Sequence, residues 1–315
     1  MSDRVAAQRA RLRAAEREAY AHYGASVTSQ PLQLADPQMS TRVVRVGSGP
    51  PTVLLHGANL AATMWAPLLT HLPDRSLYLV DLPGCGFADP VDYADEDLTD
   101  HQRRFVGGVL DALELDAAAL VGASLGGAFA LRFALHHPER VTGLALVTAP
   151  ALALPGARLP LSMAILGGGR RARWTARLMP PPSARSTRRL LATIGGQNSV
   201  RGVPTSMFEA LGAAVALAMP TNASASAQTF RWRTPLPHIV FSDDQLAAIP
   251  VPTLLLWGED DKVQDPEAGV RAAEVLPHGR IEVLPGGHAL WFEDPRRCGR
   301  LLTDFLAEVD RDQPA

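Results

Sequence analysis

The residues most able to do chemistry in this 315-residue sequence are Gly122-Ala123-Ser124-Leu125-Gly126-Gly127. They stand between an apolar run, 118–121, and an alanine-rich helix predicted from Leu125 to His136. A sharp strand-to-helix turn that presents a nucleophilic serine needs that setting. The positions two before and two after such a serine must be small, and Gly122 and Gly126 meet the need. The turn would lift the Ser124 hydroxyl above the end of its strand and leave the Leu125 amide free at a helix N-terminus. A lone G-x-S-x-G arises by chance in many proteins. The strand before this one and the helix after it are what give it weight.

A serine hydroxyl is barely nucleophilic at neutral pH and needs a base. Of nine histidines, His288 is the one in place, after a strand at 281–284 and the turn Pro285-Gly286-Gly287. His136, His137 and His278 end or follow helices, His22 lies in an N-terminal helix, and His71, His101 and His238 stand in no motif. A nucleophile on such a strand–turn–helix elbow is expected in the chain order serine, acid, histidine, which puts the carboxylate between Ser124 and His288. Trp257-Gly258-Glu259-Asp260-Asp261-Lys262-Val263 offers three after the preceding strand. The acid has to hold one imidazole tautomer and stabilise the imidazolium, so it must be partly buried and aimed at the ring. Spacing alone does not separate Asp260 from Asp261, and at least two of the three carboxylates belong to a solvated turn. His56-Gly57-Ala58-Asn59 follows the apolar run 52–55. The Ala58 and Leu125 amides together would make an oxyanion hole, each donor worth ~3 kcal/mol in related chemistry. His56 itself reads as a structural residue that fixes its loop.

These groups need a frame that brings distant turns to one edge. From about residue 42, short apolar runs alternate with helical stretches: 43–46, 52–55, 76–80, 118–121, 141–147, 253–257 and 281–284 as strands, with helices at 99–114, 125–136, 266–275 and 295–309. Strands buried on both faces and interleaved with helices indicate a mostly parallel sheet flanked by helices. Residues 151–245 break the rhythm. Helical candidates at 161–179, 185–194 and 205–218, separated by prolines and glycines, predict a helical cap inserted between two core strands. The division expected is an N-terminal amphipathic helix (1–24), a core (40–150 and 246–311) and the cap (151–245). The helix at 4–23 repeats Leu12, Ala15, Ala19 and Tyr23 on one face. Its mostly alanine face favours docking on the core over lying on a membrane.

Composition bounds the rest. Hydrophobic residues make up 47% and charged residues 20%, which fits a globular chain, and a formal charge of −2 gives no basic excess for nucleic acid. Residues 1–23 hold five arginines and no continuous apolar run of the secretory type. No apolar run reaches the ~18 residues of a spanning helix. A cytoplasmic location is expected, with neither membrane nor nucleic acid as partner, a small molecule as substrate, and a homodimer left open. Cys85 and Cys298 read as small buried hydrophobes. No metal constellation or dinucleotide glycine loop is present, and Gly167-Gly168-Gly169 follows no strand, so neither metal nor cofactor is expected.

At these residues the chain resembles the α/β-hydrolase superfamily. HGAN (56–59), DLPGCG (81–86), GASLGG (122–127), LLLWGEDDKV (254–263) and GGHALWFEDP (286–295) stand in the family's order over nearly the whole length outside the N-terminal helix. The resemblance implies Asp261 as the acid, three residues after the strand-end Gly258, in a triad Ser124, Asp261, His288. The stretch 237–246 and Ala62-Thr63-Met64-Trp65 are similar to one branch of bacterial carboxylesterases. A serine nucleophile departs from haloalkane dehalogenases and epoxide hydrolases, which use carboxylates. The HGAN loop lacks the glycine-proline run of proline iminopeptidases and many meta-cleavage-product hydrolases, and the HGGG loop of the hormone-sensitive-lipase branch.

Three activities fit the constellation. The first is hydrolysis of a carboxylic ester through an acyl-enzyme. The second keeps the triad but cleaves a C–C bond, a lactone or a thioester. The third is a ligand-binding protein with slow turnover. A C–C hydrolase would need cationic groups in the cap, and Arg170, Arg171, Arg173, Arg231 and Arg233 are available, although 170–177 also reads as a solvated helix face. Leu161, Met163, Leu166, Met207, Leu211, Leu217 and Met219 would roof an apolar pocket or pack the cap's own core. Leu60, Phe87, Leu290 and Trp291 flank the motif loops and are expected at the pocket floor.

Overall fold

The computed structural model describes residues 3–158 and 181–312. Strands β1 (Thr28–Leu34), β2 (Met39–Val46), β3 (Pro51–Leu55), β4 (Ser76–Val80), β5 (Ala118–Ala123), β6 (Val141–Val147), β9 (Thr253–Gly258) and β10 (Gly279–Leu284) form one sheet in the order β1-β2-β4-β3-β5-β6-β9-β10. All neighbours from β4 to β10 run parallel, and β1 and β2 are antiparallel additions at one edge. The central strands β3, β5, β6 and β9 are buried almost end to end, as their continuous apolar runs require.

Helices cover both faces. On one, α2 (Leu98–Ala112), α3 (Leu125–His136) and α7 (Pro266–Val275) close over a cluster that includes Phe105, Phe129, Phe133 and Trp257. On the other, a 3₁₀ segment (Ala62–His71), the short helix α8 (Leu290–Glu293) and α9 (Pro295–Arg311) pack around Met64, Trp65, Trp291 and Phe305. Both cysteines are buried free thiols, as expected of small hydrophobes.

Between β6 and β9 the described residues form helices α4 (Ala184–Gly195), α5 (Thr205–Thr229) and α6 (Asp243–Ala247) and a two-stranded hairpin of β7 (Phe230–Arg231) and β8 (Thr234–Pro235). The helix expected at 161–179 lies outside the described residues. Helix α5 corrects the expected end at 218, because it continues through Pro220. Proline removes one intrahelical bond there, while side chains of the next turns are anchored on the core: the Val91, Tyr93 and Leu98 amides donate to Thr221 Oγ1, Ser224 Oγ and Gln228 Oε1 at 3.1, 3.2 and 2.9 Å. The hairpin was not expected. Nor was β1, where only Leu32 and Leu34 are buried and Pro31 stands mid-strand.

Helix α1 (Asp3–His22) is docked. Leu12 and Ala15 pack on Ala210, Ala213 and Ala214 of α5. One turn further, the buried Glu16 accepts from Arg42 Nη1 at 2.6 Å, and Arg42 Nε donates to the fully buried Asp81 at 2.8 Å. Two carboxylates around one guanidinium accept from its Nε, Nη1 and Nη2. Burial works against the charged Arg42, but the fields of Asp81 and Glu16 outweigh it and raise its pKa. Among the described residues no helix is long and apolar enough to cross a membrane.

Candidate active site

The parallel sheet delivers the three predicted residues to one edge. In register, Ala123 of β5 lies beside Val147 of β6, Val147 beside Leu256 of β9, and Gly258 of β9 beside Leu284 of β10. Ser124, Asp261 and His288 follow β5, β9 and β10 at that C-terminal edge. Ser124 has φ 48° and ψ −115°, a left-handed conformation that costs an ordinary residue ~1–3 kcal/mol. The glycines make it tenable. A Cβ on Gly122 would stand 2.5 Å from the Gly126 carbonyl oxygen, and one on Gly126 would stand 2.1 Å from that of Leu55.

His288 Nδ1 and Asp261 Oδ2 are 2.8 Å apart, with side-chain exposures of 8% and 0%. A carboxylate oxygen is the acceptor in this contact, so Nδ1 carries the proton, and in the neutral ring Nε2 is left with the lone pair. Asp261 Oδ1 accepts from the Val263 amide at 2.8 Å, and Oδ2 receives a longer contact from the Ala149 amide at 3.4 Å. Asp260 and Glu259 are exposed. Of the three carboxylates in this turn, Asp261 is the buried one and the one bonded to His288.

The turn after β6 is also strained. Thr148 takes φ 70° although β-branched, and this aims the next amide, Ala149, at Asp261. Nothing in the sequence had marked that pair. Gly258 does more than end its strand: a Cβ there would stand 2.4 Å from the Gly287 carbonyl oxygen, so its absence lets the acid turn and the histidine turn touch.

The oxyanion candidates are laid out in the same way. Leu125 is the first residue of α3 and has no intrahelical acceptor for its amide. The Ala58 amide makes no bond among the described residues, and its neighbour Gly57 lies against Ser124, where an added Cβ would stand 3.5 Å from the serine Cβ. His56 is fully buried: Nδ1 donates to the Gly57 carbonyl at 2.8 Å, and Nε2 accepts from the Leu82 amide at 2.9 Å. Burial is the largest influence and lowers its pKa, so the ring stays neutral and braces the loop.

Four residues were expected at the pocket floor, and the structure separates them. Leu60 shares the Gly57 surroundings with the nucleophile: its Cδ1, like the serine Cβ, would stand 3.5 Å from an added Cβ on Gly57. Leu290 is buried in the cluster beneath. Trp291 is corrected to a core residue: its ring packs on Trp65 at 5.5 Å between centroids, and its Nε1–H donates to the Met64 carbonyl at 2.9 Å. Phe87 is corrected as well. Its ring sits under the guanidinium of Arg42 at 4.4 Å, with Arg13 at 5.0 Å, at the junction of α1 and α5. Both errors came from chain proximity to a motif, which does not say which way a side chain points.

Asn222 of α5 donates to Asn59 Oδ1 and ties the helical insertion to the loop that bears Ala58. Of the apolar residues expected in the insertion, Met207 and Leu211 pack inward on the second core cluster, Leu217 is half-buried, and Leu161, Met163 and Leu166 lie outside the described residues. No group of three or more metal-ligating side chains occurs among the described residues.

Comparison with known proteins places this geometry. A family model of the alpha/beta hydrolase fold matches residues 50–295. The 2-hydroxy-6-oxo-2,4-heptadienoate hydrolase of Pseudomonas putida is 31% identical over 285 residues, covering 86% of this chain and 94% of its own. The uncharacterized carboxylesterase nap of Bacillus subtilis is 26% identical over 306 residues, 92% of this chain and 93% of its own. The crystal structure of carboxylesterase CesB from Bacillus subtilis shares the fold with a TM-score of 0.76 at 21% identity, over 96% of this chain and 99% of that one.

Proposed function

The chain belongs to the α/β-hydrolase fold family, and from that premise we propose that it cleaves a carboxylic ester of a small to medium, largely apolar substrate through an acyl-enzyme. The observation that carries the reading is the buried 2.8 Å bond from His288 to Asp261 at the strand edge that also bears Ser124. With Nδ1–H committed to Asp261, Nε2 takes the proton as Ser124 Oγ attacks the ester carbonyl. The tetrahedral oxyanion faces the Leu125 and Ala58 amides. The imidazolium then protonates the departing alcohol, and a water activated by the same nitrogen releases the acid and restores the serine. The described part of the insertion between β6 and β9 serves as a cap in this reading.

Among the described residues the arginines support an ester over a charged dienoic acid. Among the described residues the buried ones are all engaged away from Ser124: Arg42 with Glu16 and Asp81, Arg75 with Thr52 and Asp310, Arg132 with Gln102 and the Ile239 carbonyl. In the insertion, Arg185, Arg188, Arg189, Arg201 and Arg231 are exposed, and Arg233 is half-buried. Arg170, Arg171 and Arg173 lie outside the described residues. The 31% identity to a 2-hydroxy-6-oxo-2,4-heptadienoate hydrolase supports a second reading, C–C cleavage by the same triad.

Burst and steady-state hydrolysis of p-nitrophenyl esters from acetate to laurate, run beside a 2-hydroxy-6-oxo-dienoic acid, separates the two. Ester turnover that disappears in Ser124→Ala is the expected result. Faster cleavage of the dienoic acid than of every ester would transfer the assignment to C–C hydrolysis. Turnover surviving in Ser124→Ala would remove both.

A further inference from the structure

The loop that carries His288 is held from two sides by groups outside the triad. The Gly287 amide donates to Glu293 Oε1 at 2.8 Å, from the end of α8. The next amide, that of His288 itself, donates to the Ile194 carbonyl at 3.0 Å, from the last turn of α4. Two consecutive amides caught by different elements fix the backbone from which the imidazole projects.

Packing at this junction leaves no room for side chains. A Cβ on Gly287 would stand 2.9 Å from the Gly195 carbonyl carbon and 3.0 Å from the Ile194 oxygen, and a Cβ on Gly195 would stand 2.7 Å from Ala289 Cβ. The end of α4 therefore lies backbone against backbone on the histidine loop. On the other side, Gly286 at φ 131° has the Glu293 carboxyl carbon 2.9 Å from where its Cβ would be. The Gly286 carbonyl also accepts from the Asp260 amide at 2.9 Å, so the acid turn and the histidine turn move as one piece.

We infer that Glu293 and the Ile194–Gly195 end of α4 are positioning groups for the general base, a clamp through which the insertion between β6 and β9 sets His288. This rests on the reading of His288 as the base. The alternative, that these contacts only stabilise the fold, makes a different prediction. A structural brace changes the amount of folded enzyme, whereas a positioning group changes the rate of each active site.

The test is therefore kcat per site titrated with a fluorophosphonate, on the full chain, for Glu293→Ala, Glu293→Gln and Gly195→Ala. Loss of the clamp lets the ring wander by a fraction of the ~1 Å that can cost ~100-fold in rate. Glu293→Ala and Gly195→Ala should each lower kcat per titrated site about tenfold, with KM changed less than twofold. Glu293→Gln keeps an oxygen acceptor for the Gly287 amide and should recover to within about threefold. Glu293→Asp, too short to reach that amide, replaces Glu293→Ala if the latter does not fold. For a wild type that turns over no ester, the second-order rate of fluorophosphonate labelling is read in place of kcat. Wild-type kcat per site in the alanine variants, or a loss confined to KM or to the titrated fraction, would overturn the inference. An active His288→Ala variant would instead overturn the triad reading beneath it.

Discussion

Replacing Asp261 by Asn changes one atom in a buried site, and the structure dictates which way that atom turns. Asp261 Oδ1 accepts from the Val263 amide at 2.8 Å, and an asparagine keeps that bond only if its oxygen stays there. Its NH₂ then faces His288 Nδ1, where Oδ2 now stands 2.8 Å away. Two donors cannot share that space, so the imidazole must move its proton to Nε2 and accept at Nδ1. A protonated Nε2 cannot take the serine proton. With the geometry intact and the tautomer wrong, the loss in kcat expected for such a triad is ~10⁴-fold, equivalent to about 5.5 kcal/mol of barrier. Asp260→Asn should alter kcat less than about threefold, because that side chain is exposed and its role is carried by its backbone amide. The assay is steady-state hydrolysis of the best p-nitrophenyl ester with thermal melting alongside, so that a folding defect is not read as a catalytic one. Asp261→Asn within tenfold of wild type, or Asp260→Asn equally damaged, would refute both the tautomer argument and the assignment of the acid.

Two further outcomes follow from the buried charges. Arg42→Met leaves the Glu16 and Asp81 carboxylates buried without their counter-charge and should lower the unfolding free energy in urea by about 3–5 kcal/mol; a change below about 1 kcal/mol would mean that water reaches the site. His56 and His101 both have pKa values lowered from 6.5, chiefly by burial, so the folded state prefers them neutral while the unfolded chain takes up protons near pH 6.5. Their contribution is therefore fully present above about pH 6.5 and fades as pH falls toward the folded values, at up to ~1.4 kcal/mol per pH unit for each histidine. Thermal melting from pH 7.5 to 5.0 should show the decline, and His56→Gln should make it shallower; a melting temperature that holds or rises on acidification would contradict the neutral assignment.

Much of the frame is legible in order along the chain. Strands 52–55, 76–80 and 141–147 and helices 125–136 and 266–275 fall within one residue of their structural bounds, because each is a buried apolar run or a helical pattern closed by glycine or proline nearby. Ser124 and His288 are readable for the same reason: the glycines that permit their turns stand within two residues of them. What only the tertiary structure decides depends on partners far away in sequence. Asp261 is separated from Asp260 by burial against His288 and by a contact from Ala149, 112 residues distant. Trp291 is a core residue because its indole meets the Met64 carbonyl 227 residues away, and Phe87 belongs to the α1 junction because Arg42 lies over its ring. Glu16, a charged residue on the face expected to be apolar, is buried because Arg42 waits there. Helix α5 continues past Pro220 with the side chains of its next turns anchored to core amides that no local pattern shows. Backbone conformation and hydrophobic rhythm are set by neighbours and can be read locally. The direction of a side chain, and whether a charge can be buried, are set by whatever the fold places opposite it.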